Sequence, residues 1–376
     1  MNSHDGKLPQ IVAIFILSVL ASFVVLNRWV FTDIGLLSFG RVWQFYISYE
    51  DFGFVRRALV GTVFSVTRLN SILQNEYHFA LLAQHVAIFS LAMIIFSYVV
   101  KIRVNDLPFI ATLALSPALL MQSGYTTGSL DAFILILVSI NILYCSNLAI
   151  FCIILAAGIL IHELFVFTIP AQLVAYYFHL RQQEDARLFV PAISTMASTL
   201  IPTILIILFG SSDLSRDTFD SVMEGRIPFA AGQHGLWSGY YEISSTASKY
   251  MIESKTKLAV DITLGAAFLI VPLIYAILVW LRLLSVTMLT SDKVLLSIAT
   301  VFPLLTSFLA TDLYRWIGMS ASLGLILTLS FIGKGATPKS GFTCVLLPFS
   351  ILAPFGAGQI DRPFPLQQFI LERLLF

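Results

Sequence analysis

The stretch LAIFCIILAAGILIHELFVFTIPAQLVAYYFHLR, from Leu148 to Arg181, decides how this chain folds. Up to Phe178 its only ionisable side chains apart from Cys152, Tyr176 and Tyr177 are His162 and Glu163, near the middle. Two readings compete: one helix over 148–178, or two short helices, 148–161 and 164–180, folded back with His162-Glu163 at the apex. About 20 apolar residues cross a hydrocarbon core, fewer where a helix end is buried in protein, so length admits both. Charge separates them. With the N-terminus in the cytoplasm and a hairpin at 162–163, Lys7, Lys101, Arg103, Arg181, Arg187, Arg282, Lys293, Lys334 and Lys339 all face inward. The short outer turns then hold only Arg315, in keeping with the Lys/Arg excess of cytoplasmic loops. A single crossing would carry His179, Arg181 and Arg187 outside and invert every later segment. The hairpin is the expected arrangement.

Outward from the hairpin, apolar segments cover 11–31, 79–100, 107–122, 130–147, 188–209, 258–282, 293–310, 316–332 and 341–357. They predict an all-α, polytopic transmembrane helical bundle of about eleven spans, in one integral membrane domain over 1–376. Composition agrees, with 58% hydrophobic and 11% charged residues and a mean hydropathy of +0.88, which excludes a water-soluble globule. A net charge of +1, with Lys and Arg dispersed, excludes a nucleic-acid surface. Cys145, Cys152 and Cys344 lie in or beside apolar segments, without a CxxC or metal-ligand spacing, and are expected to be packing residues. The run from Ile11 to Phe31 is too long for a signal-peptide core and is expected to stay as the first helix.

Two outer loops are long, about 32–78 and 210–257. In the first, Phe54, Ala58, Leu59 and Val63 recur at helical spacing with Arg56 and Arg57 off that stripe, which predicts a helix lying in the interface. The second is the most polar part of the chain. Its Arg216, Asp217, Asp220, Glu224, Arg226, His234, Trp237 and Tyr241 suit a carbohydrate cleft, since aromatic rings stack on sugar faces while carboxylates and guanidiniums bind hydroxyls and phosphates. An ordinary solvated loop is the plain alternative.

The chemistry-bearing residues gather at span ends on the outer side. Glu50 and Asp51 are adjacent, so they point in different directions and cannot act as a symmetric pair. One of them, ahead of Arg56 and Arg57, is placed to be a general base near a lipid phosphate; pairing with those arginines is the simpler role. Asp131 opens a span, where it caps the helix or meets substrate. His162-Glu163 sits at the hairpin apex, without the HExxH spacing that puts two metal ligands on one helix face. Asp312 and Arg315 stand at i, i+3, as a local ion pair or with Arg315 on a phosphate. The chain has no GxSxG, HExxH, Walker lysine or GxGxxG motif, which argues against an ATP or NAD site.

These features resemble the GT-C superfamily of polytopic glycosyltransferases. The resemblance rests on Glu50-Asp51 before an interfacial helix, Gly128-Ser129-Leu130-Asp131-Ala132 entering a span, the polar hairpin apex, and Asp312-Leu313-Tyr314-Arg315-Trp316. It implies transfer of a hexosyl or pentosyl unit from a polyprenyl-phosphate-linked donor to a glycan or lipid-linked acceptor. The site would face the outside of a bacterial inner membrane, and reaction would be inverting if one base drives a single displacement. Asp51 or Glu50 would be the base, and Arg56, Arg57, Asp131, His162, Glu163, His234, Asp312 and Arg315 would bind substrate. A divalent metal is open. The adjacent Glu50-Asp51 departs from the spaced acidic pair common in the superfamily, and the short tail after Pro354 departs from the soluble C-terminal domain of many members. An O-antigen-polymerase-like or ligase-like enzyme is the runner-up. A lipid-linked-oligosaccharide flippase or transporter is the non-enzymatic alternative, disfavoured because ionisable groups collect at one face rather than at the midplane.

Overall fold

A computed structural model of the chain describes residues 8–26, 41–73, 76–104, 106–121, 128–182, 189–227, 272–286, 289–308, 313–334 and 341–352. Among the described residues all regular structure is helical. The helices are α1 (Leu8–Leu26), α2 (Tyr49–Phe52), α3 (Ala58–Val66), α4 (Glu76–Lys101), α5 (Leu107–Leu115), α6 (Asp131–Leu143) and α7 (Leu148–Ile161). They continue with α8 (Ile169–Gln182), α9 (Phe189–Phe209), α10 (Arg216–Arg226), α11 (Pro272–Ser285), α12 (Thr290–Val301), α13 (Leu313–Gly333) and α14 (Gly341–Leu352). Three stretches, His78–Lys101, Phe189–Phe209 and Arg315–Gly333, are long and apolar enough to cross a membrane. Shorter apolar helices accompany them, among them Leu8–Leu20, Leu107–Leu120 and Pro272–Ser285.

The Leu148–Arg181 stretch breaks at His162, whose backbone is extended at φ −159, ψ 123. Asn147 caps the start of α7 by accepting from the Ala149 and Ile150 N–H groups, and a 3-10 turn, Glu163–Thr168, leads into α8. The rings of Phe151 and Tyr176 stack at 4.5 Å. A continuous helix would hold them about 37 Å apart, so α7 and α8 run antiparallel.

The first polar loop is a packed cap rather than a surface helix with an arginine face. Arg56 and Arg57 sit in a turn, and α3 begins only after Arg57, whose φ of 62 is left-handed. The expected stripe is also displaced: α3 buries Ala58, Val60 and Gly61, while Val63 is exposed. The cause is Gly61, where a Cβ would lie 2.0 Å from the Ile47 carbonyl oxygen, so the helix backs directly onto the loop's own backbone. Beneath it Phe45, Phe64, Phe79 and Phe133 meet edge to face, and Phe52 packs on Phe219 of α10 at 4.3 Å. Each such pair adds about 0.5–1.5 kcal/mol beyond area burial.

The main core surrounds α13, which is parallel to α6: Arg315 pairs with Asp131 at one end, and the Ser330 hydroxyl donates to the Ile142 carbonyl towards the other. Nineteen helical steps separate Arg315 from Lys334, about 28 Å. The bundle therefore has two polar ends. One carries the 41–66 cap, the α7–α8 apex and α10. The other carries the turns around Lys101, Asp106, Arg181, Asp292 and Lys334.

Candidate functional site at the capped end of the bundle

Ser48 caps α2 through its hydroxyl, which accepts from the Asp51 N–H and also bonds the Asp51 carboxylate. Arg226, at the end of α10, meets Asp51 at 2.7 Å and donates to the Tyr46 carbonyl at 3.3 Å. The Ser212 hydroxyl donates to the Phe52 carbonyl, and the Arg56 N–H to the Gly210 carbonyl. Residues 210–226 are thus stitched across the first loop. The Asp51 side chain is 24% exposed, enough for a substrate hydroxyl to reach it, whereas Glu50 points into the surroundings.

Arg57 reaches Glu163 with a two-pronged grip, Nε lying 2.9 Å from Oε2 and Nη2 closing on Oε1, while Arg56 lies 3.8 Å from the same carboxylate. Two guanidiniums thus converge on one carboxylate. The left-handed backbone of Arg57 is uncommon for a residue with a Cβ and turns the guanidinium towards the apex. Burial alone pushes the Glu163 carboxyl up, but the Arg57 and Arg56 guanidiniums outweigh it and hold it well below the usual carboxylate range. His162 is lowered too, but for it this favours the neutral form. Burial first, then the Arg57 charge, keep its imidazole well below its ordinary value. Its Nδ1 accepts the Leu164 N–H at 3.2 Å, which assigns the proton to Nε2. His162 is therefore neutral, and its 3.5 Å approach to Glu163 is not an ion pair.

Behind the apex, Arg315 grips Asp131 with Nε 2.7 Å from Oδ2 and Nη2 on Oδ1, both side chains about nine-tenths buried. The Arg41 charge acts on Asp131 as well, because Gly128, at φ 87, lies against the Arg41 backbone, where a Cβ would approach within 2.3 Å. The Arg315 guanidinium stands 5.0 Å from the Trp316 ring centroid, and the buried Trp316 indole N–H has no acceptor among the described residues.

The structure brings Asp51, Arg56, Arg57, Asp131, His162, Glu163 and Arg315 to one end of the bundle; His162 alone feels the charges of Arg57, Glu163, Arg315 and Asp131. Among the described residues the pairings are long-range. Asp51 pairs with Arg226 rather than Arg56 or Arg57, and Arg315 with Asp131. Asp312 and His234 lie outside the described residues. Sequence reasoning missed Ser48 and Arg41, and it named Arg226 in the second loop without its partner Asp51. Ser48 was findable from its position three residues ahead of Asp51; the two arginines carry no local signal. Among the described residues no group of three His, Cys, Asp or Glu side chains is placed to share a metal. Comparison with protein-family models, curated proteins and solved structures finds no match for this chain.

Proposed function

We propose that the protein is a multi-pass membrane glycosyltransferase, with its N-terminus in the cytoplasm, about eleven spans, and the capped end on the non-cytoplasmic face. It transfers a sugar from a polyprenyl-phosphate donor to a glycan or lipid-linked acceptor. One observation carries the reading: Asp51, oriented by Ser48 and Arg226, stands in the same cap as Arg56 and Arg57, over the buried Asp131–Arg315 pair. The distribution of charge supports the orientation, since Lys101, Arg103, Arg181, Arg282, Lys293 and Lys334 occupy the other end or its turns.

The chemistry asks little of the protein beyond position and charge. Asp51 accepts the proton of the acceptor hydroxyl as its oxygen attacks the anomeric carbon, and the bond from that carbon to the phosphate oxygen breaks. The departing phosphate draws charge towards Arg56 and Arg57, whose planar forks suit its oxygens. A single displacement inverts the anomeric centre. Glu163 and His162 position Arg57, and Asp131 positions Arg315.

The test is transfer by the purified protein from a panel of polyprenyl-phosphate sugars, with products read by mass spectrometry. Asp51→Asn is expected to abolish turnover while the protein still folds. Near-normal transfer by Asp51→Asn and also by Glu50→Gln would move the base elsewhere. Donor-analogue binding undiminished in Arg56→Lys, Arg57→Lys and Arg315→Lys would make these arginines structural anchors.

A further inference from the structure

At the end remote from the cap, Phe178, Arg181 and Gln182 of α8, Val286 after α11, Asp292 of α12 and Phe331 and Lys334 at the end of α13 enclose a groove of about 310 Å³. Its walls are apolar and aromatic, and its polar groups are two cations, one carboxylate and one amide. Arg181 bonds Asp292 through Nη1 alone, at 3.1 and 3.3 Å. The Lys334 ammonium donates to the Ala175 carbonyl at 3.3 Å and rests 5.8 Å from the Phe331 ring centroid. Among the described residues no carboxylate reaches it. Burial pushes its pKa down to about 8, so at neutral pH it remains charged. Among the described residues, His179 also feels the Lys334 charge and adds no negative one.

A half-buried lysine in an aromatic groove, beside an arginine that meets its carboxylate through Nη1 alone, gives the groove two cations to one carboxylate, the charge balance that suits an anion. The groove opens one residue past the apolar run Arg315–Gly333, the level at which a spanning helix meets lipid headgroups. Its volume lies at the lower bound of small-ligand sites, enough for a phosphodiester and its glycerol. We propose that this groove binds the phosphate of an anionic phospholipid between Lys334 and Arg181, with the glycerol and first acyl carbons against Phe178, Val286 and Phe331. Asp292 keeps Arg181 at the rim and repels a second anion. The inference rests on the membrane reading and is independent of glycosyl transfer.

The test is lipid retention by the full-length protein in detergent, read by native mass spectrometry with dioctanoyl phosphatidylglycerol, phosphatidylethanolamine and phosphatidylcholine. Phosphatidylglycerol is expected to bind about tenfold tighter than phosphatidylcholine, the weight of one charge-assisted hydrogen bond. Lys334→Gln should remove that preference and Lys334→Arg keep it. Val286→Trp should block the groove, and Lys101→Gln, at the same end beside Tyr144, should change nothing. Equal retention of the three lipids, unchanged phosphatidylglycerol binding by Lys334→Gln, or tighter binding of phosphatidylethanolamine through Asp292 would each overturn the proposal. Displacement by millimolar inorganic phosphate would overturn the lipid and leave a free-anion site. Should Lys334→Gln fail to fold, the headgroup series and Val286→Trp still decide.

Discussion

The two ends of the bundle use the same kinds of charged residue in opposite ways. At the capped end, carboxylates and guanidiniums from the first loop, the α7–α8 apex, α6, α10 and α13 interlock, and two of the ion pairs bridge residues 106 and 184 positions apart. At the other end the pairs stand singly. Asp106 caps α5 while holding the fully buried Arg282, and Arg181–Asp292 lies at the rim, with the Arg181 side chain 46% exposed and that of Asp292 13%. Dense interlocking fixes geometry, which chemistry on a substrate needs; isolated pairs pin helix ends and leave room between them. The contrast lies in connection rather than burial: Arg282 is fully buried in a single pair, whereas the partly exposed Arg56, Arg57 and Glu163 share one cluster.

Substitutions should separate the ends in order of effect. Asp51→Asn should lower transfer about a hundred- to ten-thousand-fold, the usual weight of a general base, with folding intact by size-exclusion chromatography. Loss of folding, or an equal loss of transfer from Asp292→Asn, would erase the distinction. Asp131→Asn removes the carboxylate that the buried Arg315 grips and should cost about 3–5 kcal/mol of stability, read as a large drop in thermal midpoint. Asp292→Asn should cost at most about 1 kcal/mol, as for exposed pairs generally.

Acid sharpens the same comparison. His162 and Glu163 both titrate below their ordinary values of 6.5 and 4.5 in the fold. On acidification the unfolded chain takes up each proton first, so their contribution is complete above the unfolded value and is lost as pH falls towards the folded one. The thermal midpoint should therefore decline in two steps, the first beginning near pH 6.5. In His162→Gln the first step should shrink and the second persist. A midpoint flat from pH 7.5 to 5.5 in the unmodified protein would contradict the assignment of a neutral, buried imidazole.

The helices were legible because their apolar runs are long, and the hairpin because charge sorting made the alternative incoherent. Relative placement was not. The Phe189–Phe209 and Arg315–Gly333 spans have hydropathies of 2.0 and 1.7, yet 17% of one and 83% of the other is buried inside the protein. What centres α13 is its small hydroxyl residues: Ser322 donates to the Ala118 carbonyl and Ser330 to that of Ile142, contacts that average hydropathy ignores. In the site, the residue types were readable from their cost at span ends, but the partners were not. Arg226 and Asp51 share no period or motif; the packing of Phe52 on Phe219 and the hydrogen bonds of Ser212 to Phe52 and of Arg56 to Gly210 bring them together.

The Asp131–Arg315 pair has a consequence for biosynthesis. The partners are 184 residues apart, so at about 5–20 residues per second Arg315 leaves the ribosome roughly 10–40 seconds after Asp131. Throughout that interval the carboxylate at the start of α6 must wait without its final partner. Arg41 is made earlier and acts on the same carboxylate in the finished fold, which makes it the cation at hand. Arg41 is thus available as a provisional counter-ion, and a truncated protein ending before α13 would leave Asp131 without its closest cation.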